Sequence, residues 1–136
     1  MTAQPVRYSP SVETPEPDEA DTNRQLTETL LKISLARAEI MLENNSANPA
    51  QENARQAQES SNKLGKPSLE WTAWLLQSLA QRELKDFTAA KQSAAKADAA
   101  YSTLSQKWKP EDFKTYSERP DIKYYREQLL KNASQQ

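Results

Sequence analysis

A chain of 136 residues has room for one small core and not for two. Its 18 basic and 19 acidic residues nearly cancel, which excludes the strongly basic field that general nucleic-acid binding needs. The absence of cysteine and histidine excludes disulfides, thiolate metal sites and imidazole acid–base chemistry, and a single glycine excludes a Gly-rich phosphate cradle.

Residues 1–20 hold Pro5, Pro10, Pro15 and Pro17, and set Glu13, Glu16, Asp18 and Glu19 against Arg7. Proline fixes φ and biases its predecessor away from helix, so this stretch is expected to be a disordered, acidic, Pro-rich arm. If the arm docks as a linear segment, Val6, Tyr8 and Val12 are its expected anchors. No signal-peptide-like apolar run stands at the N-terminus, and no apolar run nears the roughly 18 residues of a membrane span. The expectation is a soluble, cytoplasmic protein without membrane insertion.

Residues 21–136 read as one helical domain. A first helix is expected from Thr22, where Thr22 and Gln25 have capping-box spacing. Leu26, Leu30, Ile33, Arg37 and Ile40 recur at helical spacing, and Leu31, Leu35, Ala38 and Leu42 line a neighbouring face. After "ENNSAN", Asn48 can cap a second helix with Pro49 in its first turn and Ala50, Ala54 and Ala57 on one face. Gly65, Lys66 and Pro67 break the chain. Ser68 is the expected cap of a third helix, "LEWTAWLLQSLAQREL", and Asp86 of a fourth. Pro110 then opens a short helical turn, "PEDFKTYS". A terminal helix over about 121–133 carries Ile122, Tyr125, Leu129 and Leu130.

The fourth helix, "KDFTAAKQSAAKADAAY", has seven alanines in seventeen residues. An offset of 40 residues aligns its small face with the second helix: Ala50 with Ala90, Ala54 with Ala94, Ala57 with Ala97, and Leu64 with Leu104. The same offset pairs Leu35 with Leu75 and Ala38 with Ser78. Two long-helix, short-helix pairs, about 22–64 and 68–106, are therefore expected to repeat one packing scheme. Small faces let helix axes approach toward the short end of about 8–10 Å.

The stretch "AWLLQSLAQRELKDFTAAKQSAAKA" resembles a tetratricopeptide repeat, an antiparallel helix pair of about 34 residues. The resemblance covers residues 71–104 and, less completely, 31–64. It rests on Trp74, Ser78, the turn at Asp86 and Phe87, and the small face Ala90, Ala94 and Ala97. The sequence departs from the family pattern at Gln81, Lys85 and Thr103, where a large residue, glycine and proline are usual. The resemblance implies an all-α fold of antiparallel hairpins stacked repeat on repeat, capped by the terminal helix. It also implies a groove lined by the first helix of each pair: Lys32, Leu35, Glu39, Leu42 and Glu43, then Thr72, Leu75, Leu79 and Arg82. Such a groove suits an apolar or amphipathic peptide. The competing reading is that the chain's own terminal helix fills these positions, or that the leucines are simply core.

Other features point less far. Trp71, Trp74, Tyr101 and Trp108 are expected to pack as core aromatics. Residues 107–131 interleave seven basic residues with aromatics, but five acids dilute the pattern that binds single strands. Ser60/Lys63 and Ser93/Lys96 have S-x-x-K spacing without companion motifs. The acidic pairs lack a partner set for metal or glycosidic chemistry. The expected function is a non-catalytic protein-interaction module, an adaptor, scaffold or assembly factor, with no cofactor or metal. It would be a monomer or weak dimer in isolation. The alternative is a permanent helical subunit of a larger complex, its arm ordered on a neighbour.

Overall fold

The computed structural model describes residues 15–134, all of it helix and short turn: α1 (Pro15–Glu43), α2 (Ala47–Leu64), α3 (Pro67–Glu83), α4 (Phe87–Lys107), α5 (Pro110–Ser117) and α6 (Pro120–Ser134). Consecutive helices pack as antiparallel hairpins, and α6 returns to lie against α3 and α4. Among these helices none is long and apolar enough to cross a membrane.

The first three connections are copies of one turn. Asn45, Gly65 and Lys85 stand twenty residues apart, each in the left-handed region with φ of 61°, 67° and 67°. Each closes the preceding helix with the same paired bonds. Asn45 N–H donates to the Leu42 carbonyl at 3.1 Å and Ser46 to Met41 at 2.7 Å. Gly65 and Lys66 bond to Asn62 and Ser61 at 3.1 and 3.0 Å, and Lys85 and Asp86 to Arg82 and Gln81 at 3.0 and 2.9 Å. This is the Schellman closure, which satisfies two orphan carbonyls and favours glycine at the left-handed position. Two of the three turns therefore hold a residue with a Cβ where glycine is cheapest. Asp86 then caps α4 as expected, its Oδ1 accepting from Ala89 N–H at 3.2 Å.

Two apolar clusters share α3. One joins Leu31, Leu35 and Ala38 of α1, Ala54 and Ala57 of α2, and Ala73 and Leu76 of α3. The other joins Trp71 and Leu75 of α3, Ala94, Ala97 and Leu104 of α4, and Ile122 and Leu129 of α6. Leu79 touches both. The 40-residue register is visible in burial. Ala50, Ala54 and Ala57 are buried in the first hairpin, and Ala90, Ala94 and Ala97 in the second; Leu35 and Ala38 find their counterparts in buried Leu75 and Ser78. The Ala-rich helix buries backbone-close surface against α3, where bulkier side chains would force the axes apart.

The remaining volume beside α4 is filled by aromatic rings. Trp71 meets Tyr101 edge-on at 4.9 Å between centroids and Tyr125 at 6.2 Å, while Tyr101 meets Phe113 at 5.3 Å. Trp71 Nε1 donates to Tyr116 Oη at 2.9 Å, so the buried indole N–H is satisfied. Trp108 stacks edge-on with Tyr116 at 5.2 Å, and Trp74 instead lies under the Lys96 ammonium at 4.7 Å.

Five sequence expectations need correction. Helix α1 starts at Pro15, so Pro15–Ala20 are not part of an arm; residues 1–14 lie outside the described residues. Proline is tolerated in a first helical turn, whose N–H groups have no intrahelical acceptor, and acidic sequence favours that end. Thr22 and Gln25 consequently sit inside the helix. The second and third helices start one residue before the expected caps, at Ala47 and Pro67, with Ser46 and Lys66 in the cap positions. Leu26, Leu30, Ile33 and Ile40 are exposed, and only the face of Leu31, Leu35, Ala38 and Leu42 turns inward. On α6, Leu130 is likewise exposed, while Ile122 and Leu129 are buried.

Two stability outcomes follow from this packing. Ala94→Leu inserts bulk at a fully buried contact and should cost about 1–3 kcal/mol in urea unfolding. Lys85→Gly removes the Cβ penalty at a left-handed residue and should gain about 0.5–1 kcal/mol by the same measurement. An unchanged midpoint in either variant contradicts the corresponding contact.

Candidate functional site: a groove over α3

Helices α1 and α6 stand apart on either side of α3, with no backbone approach between them. The space between holds two concavities floored by α3, one on either side of the covered Leu75. The first, about 420 Å³, is lined by Lys32, Leu35 and Glu39 of α1, Thr72 of α3, and Asp121 and Ile122 of α6, together with Trp108 and Tyr116. The second, about 450 Å³, is lined by Leu42 and Glu43, Leu79 and Arg82, and Tyr124 and Gln128 of α6.

Why α6 stays in place as a wall is a matter of both apolar and polar contact. Ile122 and Leu129 fall seven residues apart, two helical turns, and both bury against the Leu75 cluster. Deeper in, Asn132 Nδ2 donates to Ser78 Oγ at 2.9 Å, and Ser78 Oγ donates to the Ala90 carbonyl at 2.7 Å. The other end of the same amide accepts from Arg82 Nη1 at 2.7 Å. One chain of bonds thus ties α6, α3 and α4 at a buried position, with each of its side chains satisfied. Beside it, Ser93 Oγ donates to Gln81 Oε1 at 2.7 Å.

The charges along the groove divide into paired and unpaired. Glu28 takes Lys32 at 3.3 Å and Lys66 at 3.4 Å, and these cations hold its carboxyl below the usual range. Arg119 grips Asp121 through two bonds of 2.7 and 3.2 Å, which lowers the Asp121 carboxyl and raises the guanidinium. Glu39, Glu43 and Glu83 form no ion pair among the described residues. Glu39 is half-buried, and burial, then the neighbouring Glu43 and Asp121 charges, push its carboxyl up from the ordinary glutamate value. Burial also raises the Tyr116 hydroxyl, against the pull of the Trp71 hydrogen bond.

Of the residues expected to line the groove, seven of the principal eight do so: Lys32, Leu35, Glu39, Leu42, Thr72, Leu79 and Arg82. Leu75 does not. It is fully buried beneath α6 and belongs to the core. Leu35 is 93% enclosed and reaches the groove only at its rim. Thr72 is half-buried with its hydroxyl on the Ser68 carbonyl at 3.3 Å, and Arg82 is held by Asn132. The sequence reading named none of Tyr116, Asp121, Ile122, Tyr124 and Tyr125 as groove residues, although its alternative, the terminal helix seated at the groove, matches α6 covering Leu75 and walling the far side. The signal lies in the aromatic, charge-mixed segment 107–131, whose stripe of Ile122, Tyr125, Leu129 and Leu130 reads from sequence as a capping helix.

Ser93 and Lys96 do not meet: Ser93 is buried on Gln81 and Lys96 lies over Trp74. Comparison with known protein families, curated proteins and solved structures finds no match to this chain.

Glu39 gives the groove a pH signature. A carboxyl whose folded-state pKa exceeds its unfolded value binds its proton more tightly when folded, so its ionised form weakens the fold at neutral pH. That deficit disappears as the pH falls below the ordinary glutamate range. Glu39→Gln should therefore raise Tm at neutral pH and leave it unchanged near about pH 3.5. Thermal melts at the two pH values check this, and equal Tm values at neutral pH would show that Glu39 is not strained by its surroundings.

Proposed function

We propose that this chain is a non-catalytic protein-interaction module, an adaptor, scaffold or assembly factor, whose α1–α3–α6 groove receives a peptide or helix bearing apolar and basic side chains. The carrying observation is the row of carboxylates without ion partners, Glu39, Glu43 and Glu83, beside the half-buried apolar surface of Leu42 and Leu79. Glu39 is half-buried whereas Glu43 and Glu83 are exposed, so a cation arriving with a ligand meets one carboxylate that has already lost part of its hydration and two that draw it in from solvent. The apolar floor supplies affinity and the carboxylates supply register. The resemblance of residues 71–104 to the tetratricopeptide repeat supports the same reading, since that family lines its groove with the first helix of each pair.

The test uses the full chain as bait in selection from a random displayed-peptide library. Selected peptides should carry Lys or Arg among apolar residues spaced three or four apart. Reversing one charge, Glu39→Lys, should weaken their binding at least about tenfold, the scale of a close charge pair. Glu39 lies on the groove wall and not in the core, so circular dichroism of the variant should match the wild type. Enrichment of peptides without basic residues, or equal binding by the variant, would remove the groove from this role. Leu75 is unsuited to such a test, because its substitution strikes the core.

A further inference from the structure

Helix α1 carries two apolar faces, and the fold uses one. Leu31, Leu35, Ala38 and Leu42 pack inward, whereas Leu26, Leu30, Ile33 and Ile40 remain 57%, 58%, 46% and 56% exposed. At 3.6 residues per turn the second set lies roughly 150° around the helix from the first. It therefore points away from the domain, out of reach of α2 to α6.

The spacing of the outer set is informative. Positions 26, 30, 33, 37 and 40 follow steps of four, three, four and three, the 3.5-residue repeat of a helix–helix seam and not the broader stripe of a helix lying on a globular core. The flanking residues Thr27, Thr29, Ser34 and Ala36 are small and uncharged, so a second helix can approach closely. Arg37 interrupts the seam and makes no ion pair among the described residues.

We infer that this face is an antiparallel α1–α1 interface between two copies of the chain. Parallel, in-register pairing would set Arg37 against Arg37 inside the seam, a like-charge contact. Antiparallel pairing about a two-fold axis between Leu30 and Ile33 avoids it. Each Leu30 then packs on the partner copy's Ile33, each Leu26 on the partner copy's Arg37 stem, whose guanidinium turns sideways to water, and each Ile40 on the partner copy's Asn23 at the end of the seam. The contact is self-complementary, as a two-fold interface must be. The stripe with its flanks amounts to roughly 500 Å² per copy, the size of patch that is often functional on monomers. Doubled, it is about 1,000 Å², the lower limit for a specific interface, so the dimer is a reversible one with dissociation in the micromolar range.

Sedimentation equilibrium of the full chain from about 5 to 500 µM should show a monomer–dimer equilibrium. Ile33→Glu should be monomeric throughout while keeping the wild-type circular dichroism, since the side chain is exposed. Should Ile33→Glu unfold, Ile33→Ser serves as the milder variant. Because the chain has no cysteine, introduced thiols report geometry cleanly. The double variant Leu26→Cys/Arg37→Cys should crosslink under oxidation, and Leu26→Cys alone should not. A wild type that stays monomeric overturns the inference and leaves the stripe to residues 1–14 or a different protein. A dimer untouched by substitution at Ile33 also overturns it, as does crosslinking of Leu26→Cys alone.

Discussion

The close contact between α3 and α4 decides how the rest of this molecule is arranged. Ala90, Ala94 and Ala97 press against α3, and Ser78 reaches across to the Ala90 carbonyl at 2.7 Å. Only small side chains permit that approach, and once α4 is so near, α3 is enclosed on almost every side. Helices α1 and α2 take one flank and α6 another. The groove exists because α1 and α6 both pack on α3 without packing on each other.

Alanine packing leaves little apolar volume, and two devices make up the difference. The aromatic group around Trp71 fills the space where α3, α4, α5 and α6 meet with large rings in edge contact. The Asn132–Ser78–Ala90 chain places polar groups in the interior but leaves none of its own members orphaned. Gln77 is a local exception, since its buried Nε2 has no partner among the described residues. Side-chain amides and hydroxyls thus do some of the joining that leucine and phenylalanine do elsewhere.

Much of this was legible in the sequence. The turn at Gly65, the cap at Asp86 and the 40-residue alignment of alanines each follow from a local rule, and each is present in the structure. The groove positions came from the tetratricopeptide resemblance, and seven of those residues line the concavities over α3. What failed was choice between equals. Helix α1 offers Leu26, Leu30, Ile33 and Ile40 on one side and Leu31, Leu35, Ala38 and Leu42 on the other, and hydrophobicity alone does not say which side meets α2 and α3. Leu75 was misplaced for a related reason, since its exposure depends on where α6 lands, forty-five residues and more along the chain. Prolines 15 and 17 read as breakers only when the helix start is unknown; at a first turn they break nothing.

The three identical turns have a kinetic consequence. Each hairpin is made between segments adjacent in the chain, so the turns at Asn45, Gly65 and Lys85 can close over short loops with little entropy lost per contact. Such topologies fold fast and from more than one starting point. Docking of α6 is the exception: Asn132 meets Ser78 across 54 residues. The molecule therefore separates in time into a rapidly forming ladder of α1 to α4 and a late-arriving final rung, and the groove comes into being only with that last event.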